Sequence, residues 1–155
     1  MMNVKLICVG SLKEKYWREA CAEYEKRLGA LCKFSIIELP EYKTDQSPAS
    51  IAKALEEEGK AIIQAASGTI IPMCIEGEPI SSEKLSRKLE QLAVNGESSV
   101  SFVIGSSHGL SRAVKEKGRG ISMSPMTFPH QLARVMLCEQ IYRAFQITLN
   151  TKYHK

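Results

Sequence analysis

The strongest constraint on the fold is the regular alternation of short apolar runs with longer segments of helical periodicity. Four seven-residue segments are typical of strands, and they lie at Asn3–Val9, Lys33–Leu39, Thr69–Ile75 and Ser98–Ile104. The first is a short apolar run that predicts a buried strand, whereas the second alternates. The segments between them are long enough for the helical crossovers that parallel strands require. The alternation therefore predicts an α/β fold with a mainly parallel sheet flanked by helices.

Helical spacing of apolar residues fills the intervening segments. We expect helices at about residues 12–28, 48–66, 82–95, 111–117 and 129–149. The first of these patterns follows Ser11, and candidate N-caps of later helices are Ser81 or Ser82, and Thr127. A turn at Glu76–Pro79 is expected to close the third strand, and Gly120–Met123 to form a further short strand.

Length and composition narrow the class of protein. The 155 residues show no linker or internal repeat, so we expect one domain over residues 1–155, too short for a (β/α)₈ barrel or a kinase. The sequence contains no run of 18 apolar residues, the length that would predict a membrane span. Residues 1–10 do not resemble a signal peptide. We therefore expect a cytoplasmic protein. Five scattered cysteines without a C-x-x-C pair favour reduced thiols and no metal site.

Positive charge is concentrated near the C-terminus. The first 104 residues hold 13 Lys and Arg against 15 Asp and Glu, a net of −2, whereas the last 51 hold 8 against 2, a net of +6. All three histidines also lie in this last third, at His108, His130 and His154. A basic segment that holds every imidazole favours an anionic partner such as RNA, although random scatter of so few charges is an alternative.

Residues Gly105–Gly109 match G-x-S-x-G between a predicted strand and a predicted helix. This is the setting of a hydrolase nucleophile, which would be Ser107. The only aspartate, Asp45, precedes that serine, so a triad in hydrolase order would need Glu116 or Glu139 as its acid. Because a glycine-bracketed turn is also a common exit from a sheet, serine hydrolysis is retained only as an alternative function.

The stretch Ile121–Pro129 is apolar but interrupted by two prolines and several hydroxyls. Its backbone N–H and C=O groups are therefore not paired within a helix or long strand and can hydrogen-bond to a ligand. Adenine would suit such a loop. A buried connection satisfied by neighbouring loops is the alternative. The chain has neither G-x-x-x-x-G-K-[ST] nor G-x-G-x-x-G, so a bound cofactor would be one without phosphates to cradle.

The last predicted helix is apolar most of the way round, which one small sheet cannot cover. This pattern favours a homodimer built on the helix. Arg134 falls in the apolar arc of Leu137 and Cys138, whereas Glu139 and Arg143 lie on the other side. A buried guanidinium needs a partner or an anionic ligand, and a side chain that reaches out to solvent is the alternative.

Several segments together resemble one family. They are Phe102–Ser111, Ser122–Arg134, Glu139–Phe145 and the terminal Tyr153 and His154. The chain is similar over its whole length to the bacterial SPOUT-class methyltransferases that N3-methylate a pseudouridine in a stem-loop of the 23S ribosomal RNA.

The resemblance implies a C-terminal trefoil knot, a homodimer and S-adenosyl-L-methionine as cofactor. It also implies that the substrate is 23S rRNA in the large subunit or assembled ribosome, with no membrane or metal. The implied cofactor-binding residues are Met73, Gly105, Met123, Ser124, Pro125, Met126, Thr127 and Phe128.

Pseudouridine N3 must lose a proton before it can accept a methyl group, so a general base is needed. We expect the catalytic residues to be His154, Tyr153 and Arg134, and the RNA-binding residues to be Arg143, Lys152 and Lys155. A frayed C-terminus is the alternative for the tail, and a non-catalytic RNA-binding module is the alternative for the whole chain.

Three residues depart from the pattern of the family. Ser106 stands where a second glycine is common, Cys74 where an aspartate is common, and Lys152 where a proline is usual. None of these changes removes a group that methyl transfer plainly needs.

Overall fold

The protein, described by a computed structural model covering all residues 1–155, contains one five-stranded sheet. Every strand pairing is parallel, and the order across the sheet is β2-β1-β4-β3-β5. The strands are β1 (Asn3–Val9), β2 (Lys33–Leu39), β3 (Thr69–Pro79), β4 (Ser99–Ile104) and β5 (Ile121–Ser122). The predicted α/β class and parallel sheet are confirmed.

Five helices cover the two faces of this sheet. They are α1 (Lys15–Leu28), α2 (Pro48–Ala65), α3 (Ser82–Val94), α4 (Arg112–Lys115) and α5 (His130–Thr148). Side chains of β1 alternate between the faces, as the two-residue period of a strand requires. Leu6 and Cys8 join the larger apolar core beneath α1, α3 and α5, and Ile7 and Val9 join a smaller core beneath α2 and α4.

The expected turn at Glu76–Pro79 is wrong, because β3 continues through it. Beyond Met73 the strand shifts its register on β5, so that both Met73 and Glu78 pair with Ile121. The backbone N–H of Glu78 donates to the carbonyl of Gly120 at 2.9 Å. A Cβ on Gly77 would lie 2.7 Å from Gly120 and Ile121, so a glycine lets the two chains approach at this bulge.

Two helix starts also differ from the expectation. Helix α1 begins only at Lys15, after the N-cap Glu14, and α5 has Pro129 rather than Thr127 as its N-cap. Neither N-cap residue makes a side-chain capping bond. For α3 the predicted capping is confirmed, because the Ser81 hydroxyl accepts a hydrogen bond from the Lys84 N–H.

None of the helices combines the length with the apolar character that crossing a bilayer demands. The trefoil knot implied by the resemblance stays a prediction.

Candidate cofactor pocket and C-terminal tail

A pocket of about 430 Å³ opens where β4 and β5 end, beside the part of β3 that follows its pairing with β4. Its wall consists of three stretches of chain, Met73–Glu76, Ile104–Leu110 and Ile121–Phe128 less Pro125, together with a few side chains from α4 and α5. The carboxyl ends of parallel strands meet at one edge of a sheet, and loops leaving that edge form the usual ligand crevice of open α/β folds.

Seven of the eight residues expected to bind the cofactor line this pocket. They are Met73, Gly105, Met123, Ser124, Met126, Thr127 and Phe128. Pro125 is exposed and does not line it. The irregular segment after β5 is thus an open pocket wall, unlike the buried connection that was the alternative.

Close backbone approaches shape the pocket. A Cβ on Gly105 would lie 2.3 Å from the carbonyl oxygen of Gly109, which cannot move without moving the loop. A Cβ on Gly120 would lie 2.6 Å from the sulfur of Cys74. Gly105 therefore allows the two ends of the loop after β4 to approach each other, and Gly120 allows β5 to approach β3.

Ser106 places an unusual polar group in the pocket wall. Its side chain is buried, with 2% of the residue exposed, and its hydroxyl has no hydrogen-bond partner. A buried hydroxyl without a partner is costly unless a ligand satisfies it. The sequence marked Ser106 only as a departure from a family pattern, and its burial comes from the packing of the loop.

Three further polar residues of the pocket were not predicted as site residues. Lys115 forms an ion pair with Glu76 and holds the pKa of that carboxyl below its usual range. Burial raises the pKa of the Cys74 thiol, Glu76 adds to this rise, and Lys115 opposes it. Lys115 lies on α4 and Glu76 on β3, and no spacing in the sequence predicts that their side chains meet.

Ser107 does not have the surroundings of a hydrolytic nucleophile. Its hydroxyl donates to a carboxylate oxygen of Glu41 at 3.3 Å. An activated serine instead donates to a base that a third group orients. No histidine forms a hydrogen bond with this hydroxyl, so the G-x-S-x-G match corresponds here to a loop that leaves β4.

A second, polar cleft of about 690 Å³ adjoins the pocket and shares Ser107 and His130 with it. Arg134 forms part of its wall and is only 5% exposed. One of its terminal nitrogens donates to Glu38 at 2.5 Å and the other to the carbonyl of Gly10 at 3.1 Å. The partner that the buried guanidinium requires is therefore Glu38 on β2, and the side chain does not extend into solvent.

The C-terminal tail is docked on the protein. The Tyr153 ring packs edge-on against Tyr142 and lies beneath the guanidinium of Arg143, 4.9 Å from its carbon. The Tyr153 hydroxyl donates to Glu139 at 3.3 Å, and His154 is within hydrogen-bond distance of Arg143 and Glu83. The frayed-end alternative is wrong for these two residues, whereas Lys152 and Lys155 are exposed.

The pocket and the tail lie at different levels of α5. His130, the first residue of the helix, lines the pocket, and Arg143 contacts the tail thirteen residues later. At 1.5 Å per residue the two positions are about 20 Å apart along the axis. The structure therefore does not bring His154 and Tyr153 to the pocket of their own chain.

Helix α5 carries partly exposed apolar side chains that no other element of the chain covers fully. They include Leu132, Val135, Met136 and Ile147. Helices α1 and α3 both pack against α5 and leave these side chains partly exposed. A helix that is apolar most of the way round is typical of a buried position.

Comparison with known proteins agrees with this architecture. A family model described as "Predicted SPOUT methyltransferase" matches residues 2–154. The chain is 48% identical to a ribosomal RNA large subunit methyltransferase H from Leuconostoc mesenteroides, and the match covers 99% of this chain and all of that protein. It is also 48% identical to ribosomal RNA large subunit methyltransferase H 1 from Clostridium perfringens, with the same coverage.

A crystal structure of a methylase family protein from Neisseria gonorrhoeae shares the fold. The TM-score is 0.54 at 18% sequence identity, and the match covers 91% of this chain and 82% of the other. The family model extends over nearly the whole sequence and includes each loop of the pocket. The chain belongs to the SPOUT methyltransferase family.

Proposed function

We propose that this protein transfers a methyl group from S-adenosyl-L-methionine to N3 of a pseudouridine in the 23S ribosomal RNA of the large subunit. The membership of the family supports methyl transfer, and the names of the two 48% identical relatives support the ribosomal RNA. The observation that carries the proposal is the pocket in which the loops after β4 and β5 meet β3, largely within the basic last third of the chain. A ribosomal substrate places the enzyme in the cytoplasm.

The pocket fits the cofactor in size and chemistry. Its volume of about 430 Å³ lies in the range of small-molecule sites. Apolar side chains such as Met73, Met123 and Phe128 suit an adenine ring, and the buried Ser106 hydroxyl still lacks a partner. When bound, S-adenosyl-L-methionine supplies the methyl group from its sulfonium sulfur. We assign its binding to Met73, Gly105 and the segment Met123–Phe128.

The acceptor nucleotide would enter the polar cleft, because this cleft meets the cofactor pocket at Ser107 and His130. Arg134 forms part of the cleft wall and hydrogen-bonds to Glu38 and Gly10. Its remaining N–H groups would be free to donate to the nucleobase that accepts the methyl group. Arg134 thus acts in this proposal mainly as a positioning residue. Holding acceptor and donor in one geometry supplies much of the acceleration in a displacement reaction.

Removal of the N3 proton requires a base, and we assign this role to His154, with Tyr153 beside it. Since the tail lies about 20 Å along α5 from its own pocket, it would act on the pocket of a second copy. Two α5 helices packed antiparallel about a two-fold axis would bring the His130 end of each beside the Arg143 end of the other. The partly exposed apolar side chains of α5, such as Leu132, support this homodimer.

The RNA would be held by Arg143 of α5 and by Lys152 and Lys155 of the tail that docks beside it. Lys152 and Lys155 are exposed, as contacts to phosphate require. Two copies bring together two C-terminal thirds, each with a net charge of +6. The dimer therefore supplies the basic surface that a small chain without a separate RNA-binding domain needs.

Calorimetric titration with S-adenosylhomocysteine tests the cofactor site directly. We expect one binding event per chain and then transfer of labelled methyl groups from S-adenosyl-L-methionine to the 23S RNA of ribosomes that lack the modification. Absence of binding would defeat the proposal and would favour the RNA-binding module, which should bind ribosomes without affinity for the cofactor.

A mixing experiment tests the shared site. One variant carries Gly105→Ala in the pocket, and the other lacks Tyr153–Lys155. At an S-adenosyl-L-methionine concentration well below the Kd of Gly105→Ala, each variant alone should be only weakly active. Mixed one to one with exchange of subunits, they should recover about a quarter of wild-type activity, because half of the dimers then contain one intact site of two. A Leu132→Glu variant, expected to be monomeric by light scattering, should show no recovery with either one. Recovery by that monomer would exclude the shared site.

A further inference from the structure

The imidazole of His154 is held at both of its ring nitrogens. Its Nε2 atom lies 2.8 Å from a carboxylate oxygen of Glu83, and its Nδ1 atom lies 3.1 Å from a terminal nitrogen of Arg143. Glu83 belongs to the first turn of α3, and Arg143 belongs to α5. The ring therefore bridges two helices, and three-quarters of the side chain is shielded from solvent.

The chemistry of the two partners fixes where the proton of the ring lies. A guanidinium has only N–H donors, so Nδ1 must accept from Arg143 with its lone pair. The proton of the neutral ring is then on Nε2, and this N–H donates to the carboxylate of Glu83. Protonation of Nδ1 would turn a second donor toward the guanidinium. The contacts thus select the neutral tautomer with its proton on Nε2.

Arg143 is fixed independently of the ring. Its Nε donates to Glu139 at 2.8 Å, one helical turn away on α5, and the guanidinium stacks on Tyr153. These contacts arise within α5 and the tail. Glu83 is the only hydrogen-bond partner of His154 from another part of the fold, so it is the group that orients the ring relative to the body of the protein.

We propose that Glu83 is a positioning residue, which accepts the Nε2 proton of His154, docks the tail on α3 and leaves Nδ1 as the basic nitrogen. Only one part of this proposal rests on the proposed function, namely that Nδ1 of His154 takes the N3 proton of the pseudouridine. Arg143 covers Nδ1 in the free protein, and a phosphate of the RNA drawn to the guanidinium would uncover it. The pKa of Glu83 is held below its usual value, because His154 donates to it.

Long-range ¹H–¹⁵N correlation spectra of the free, ¹⁵N-labelled protein test the tautomer at a pH where the ring is neutral. His154→Gln assigns the signals among the three histidines. We expect the Nε2–H tautomer in the wild type and in Glu83→Gln, because the amide oxygen also accepts a hydrogen bond. Glu83→Ala should shift the Nε2 signal, because this N–H loses its carboxylate acceptor, whereas Arg143 still faces Nδ1. The matched control is Glu90→Ala, an exposed carboxylate on the same helix, which should leave the ring unchanged.

An Nδ1–H tautomer in the wild type would overturn the proposal, as would a Glu83→Ala spectrum identical to that of the wild type. Methyl transfer is the second measurement. We expect Glu83→Ala to lower kcat by about tenfold with unchanged KM for the cofactor, and Glu83→Gln to restore most of it. Equal loss in both variants would refute the positioning role. The tautomer is measured without substrate. A wild-type protein without methyl-transfer activity would therefore refute the proposed function but would not change the spectral result.

Discussion

The two ends of α5 present two different kinds of site. At its start, the pocket is built from backbone turns, glycines and apolar side chains, with one buried hydroxyl. Near its end, a cluster of charged and aromatic side chains, Glu139, Arg143, Tyr153, His154 and Glu83, holds the tail. Shape defines the first site, whereas hydrogen bonds between ionisable groups define the second.

This difference predicts how each site should respond to amino-acid substitution. A backbone cradle tolerates changes in its side chains but not an added Cβ where two segments of chain touch. A cluster of ionisable groups depends on each partner, since a lost partner leaves a polar group unsatisfied. Substitutions should therefore separate cofactor binding from proton transfer.

The largest expected effect follows deletion of Tyr153–Lys155. If the tail supplies the general base, methyl transfer should fall by about 10² to 10⁴, the usual contribution of such a group. Calorimetric affinity for S-adenosylhomocysteine should stay unchanged, because none of these residues lines the pocket. Full activity of the truncated protein would remove the tail from the mechanism.

A smaller effect, on cofactor affinity and not on proton transfer, is expected for Gly105→Ala. The new Cβ would lie 2.3 Å from the carbonyl oxygen of Gly109, so the loop after β4 must shift. We expect affinity for S-adenosylhomocysteine to fall by about tenfold or more, equivalent to ~1.4 kcal/mol. Gly29→Ala serves as the control, because its nearest contact would be an ordinary 3.4 Å. Unchanged affinity in Gly105→Ala would show that this turn does not shape the pocket.

Cys74 reports on the electrostatics of the pocket. Burial and Glu76 raise the pKa of this thiol, so at pH 8 less of it is ionised than of a free cysteine. Glu76→Gln removes one cause and frees Lys115, which acts in the other direction, so the pKa should fall. Iodoacetamide should then alkylate Cys74 about two- to fivefold faster at pH 8, because only the thiolate reacts.

The matched control for this measurement is Glu78→Gln. Glu78 pairs with Lys84 and has no part in the pKa of Cys74, so alkylation should keep its wild-type rate. Saturating S-adenosylhomocysteine should slow the reaction in every variant. A slower reaction in Glu76→Gln would contradict the assigned electrostatics.

The smallest effect is expected for Ser107→Ala. This change removes one hydrogen bond to Glu41 at the edge of both cavities, a bond worth about 1 kcal/mol or less at an exposed site. Methyl transfer should stay within about twofold of the wild type, and a fluorophosphonate probe should label neither protein. Labelling of Ser107 would reopen the hydrolase interpretation.

Much of the fold could be predicted from local pattern. The four main strands and the parallel class follow from apolar runs that alternate with helical segments, and these are properties of neighbouring residues. The bulged continuation of β3 through Glu78 could not be predicted, because the stretch Glu76–Pro79 has the composition of a turn. Its strand geometry exists only because β5, more than 40 residues later, lies beside it.

The candidate site divides in the same way. The irregular segment after β5 and the glycine-rich turn after β4 can be recognised from their residues. The sequence also shows that Arg134 needs a partner, but not that the partner is Glu38, almost a hundred residues earlier. The pairing of His154 with Glu83 is equally remote in the sequence, and neither residue type indicates it.

By itself, then, the sequence determined the α/β class, the basic C-terminal third, the loops of the pocket and the need for a partner on α5. Local preferences, periodicity and charge count depend on residues that are close in the chain. Only the tertiary structure decided which ionisable groups meet, that the Ser106 hydroxyl is buried, and that the tail lies away from its own pocket. These properties depend on distances between remote segments, which the packing of the helices on the sheet sets.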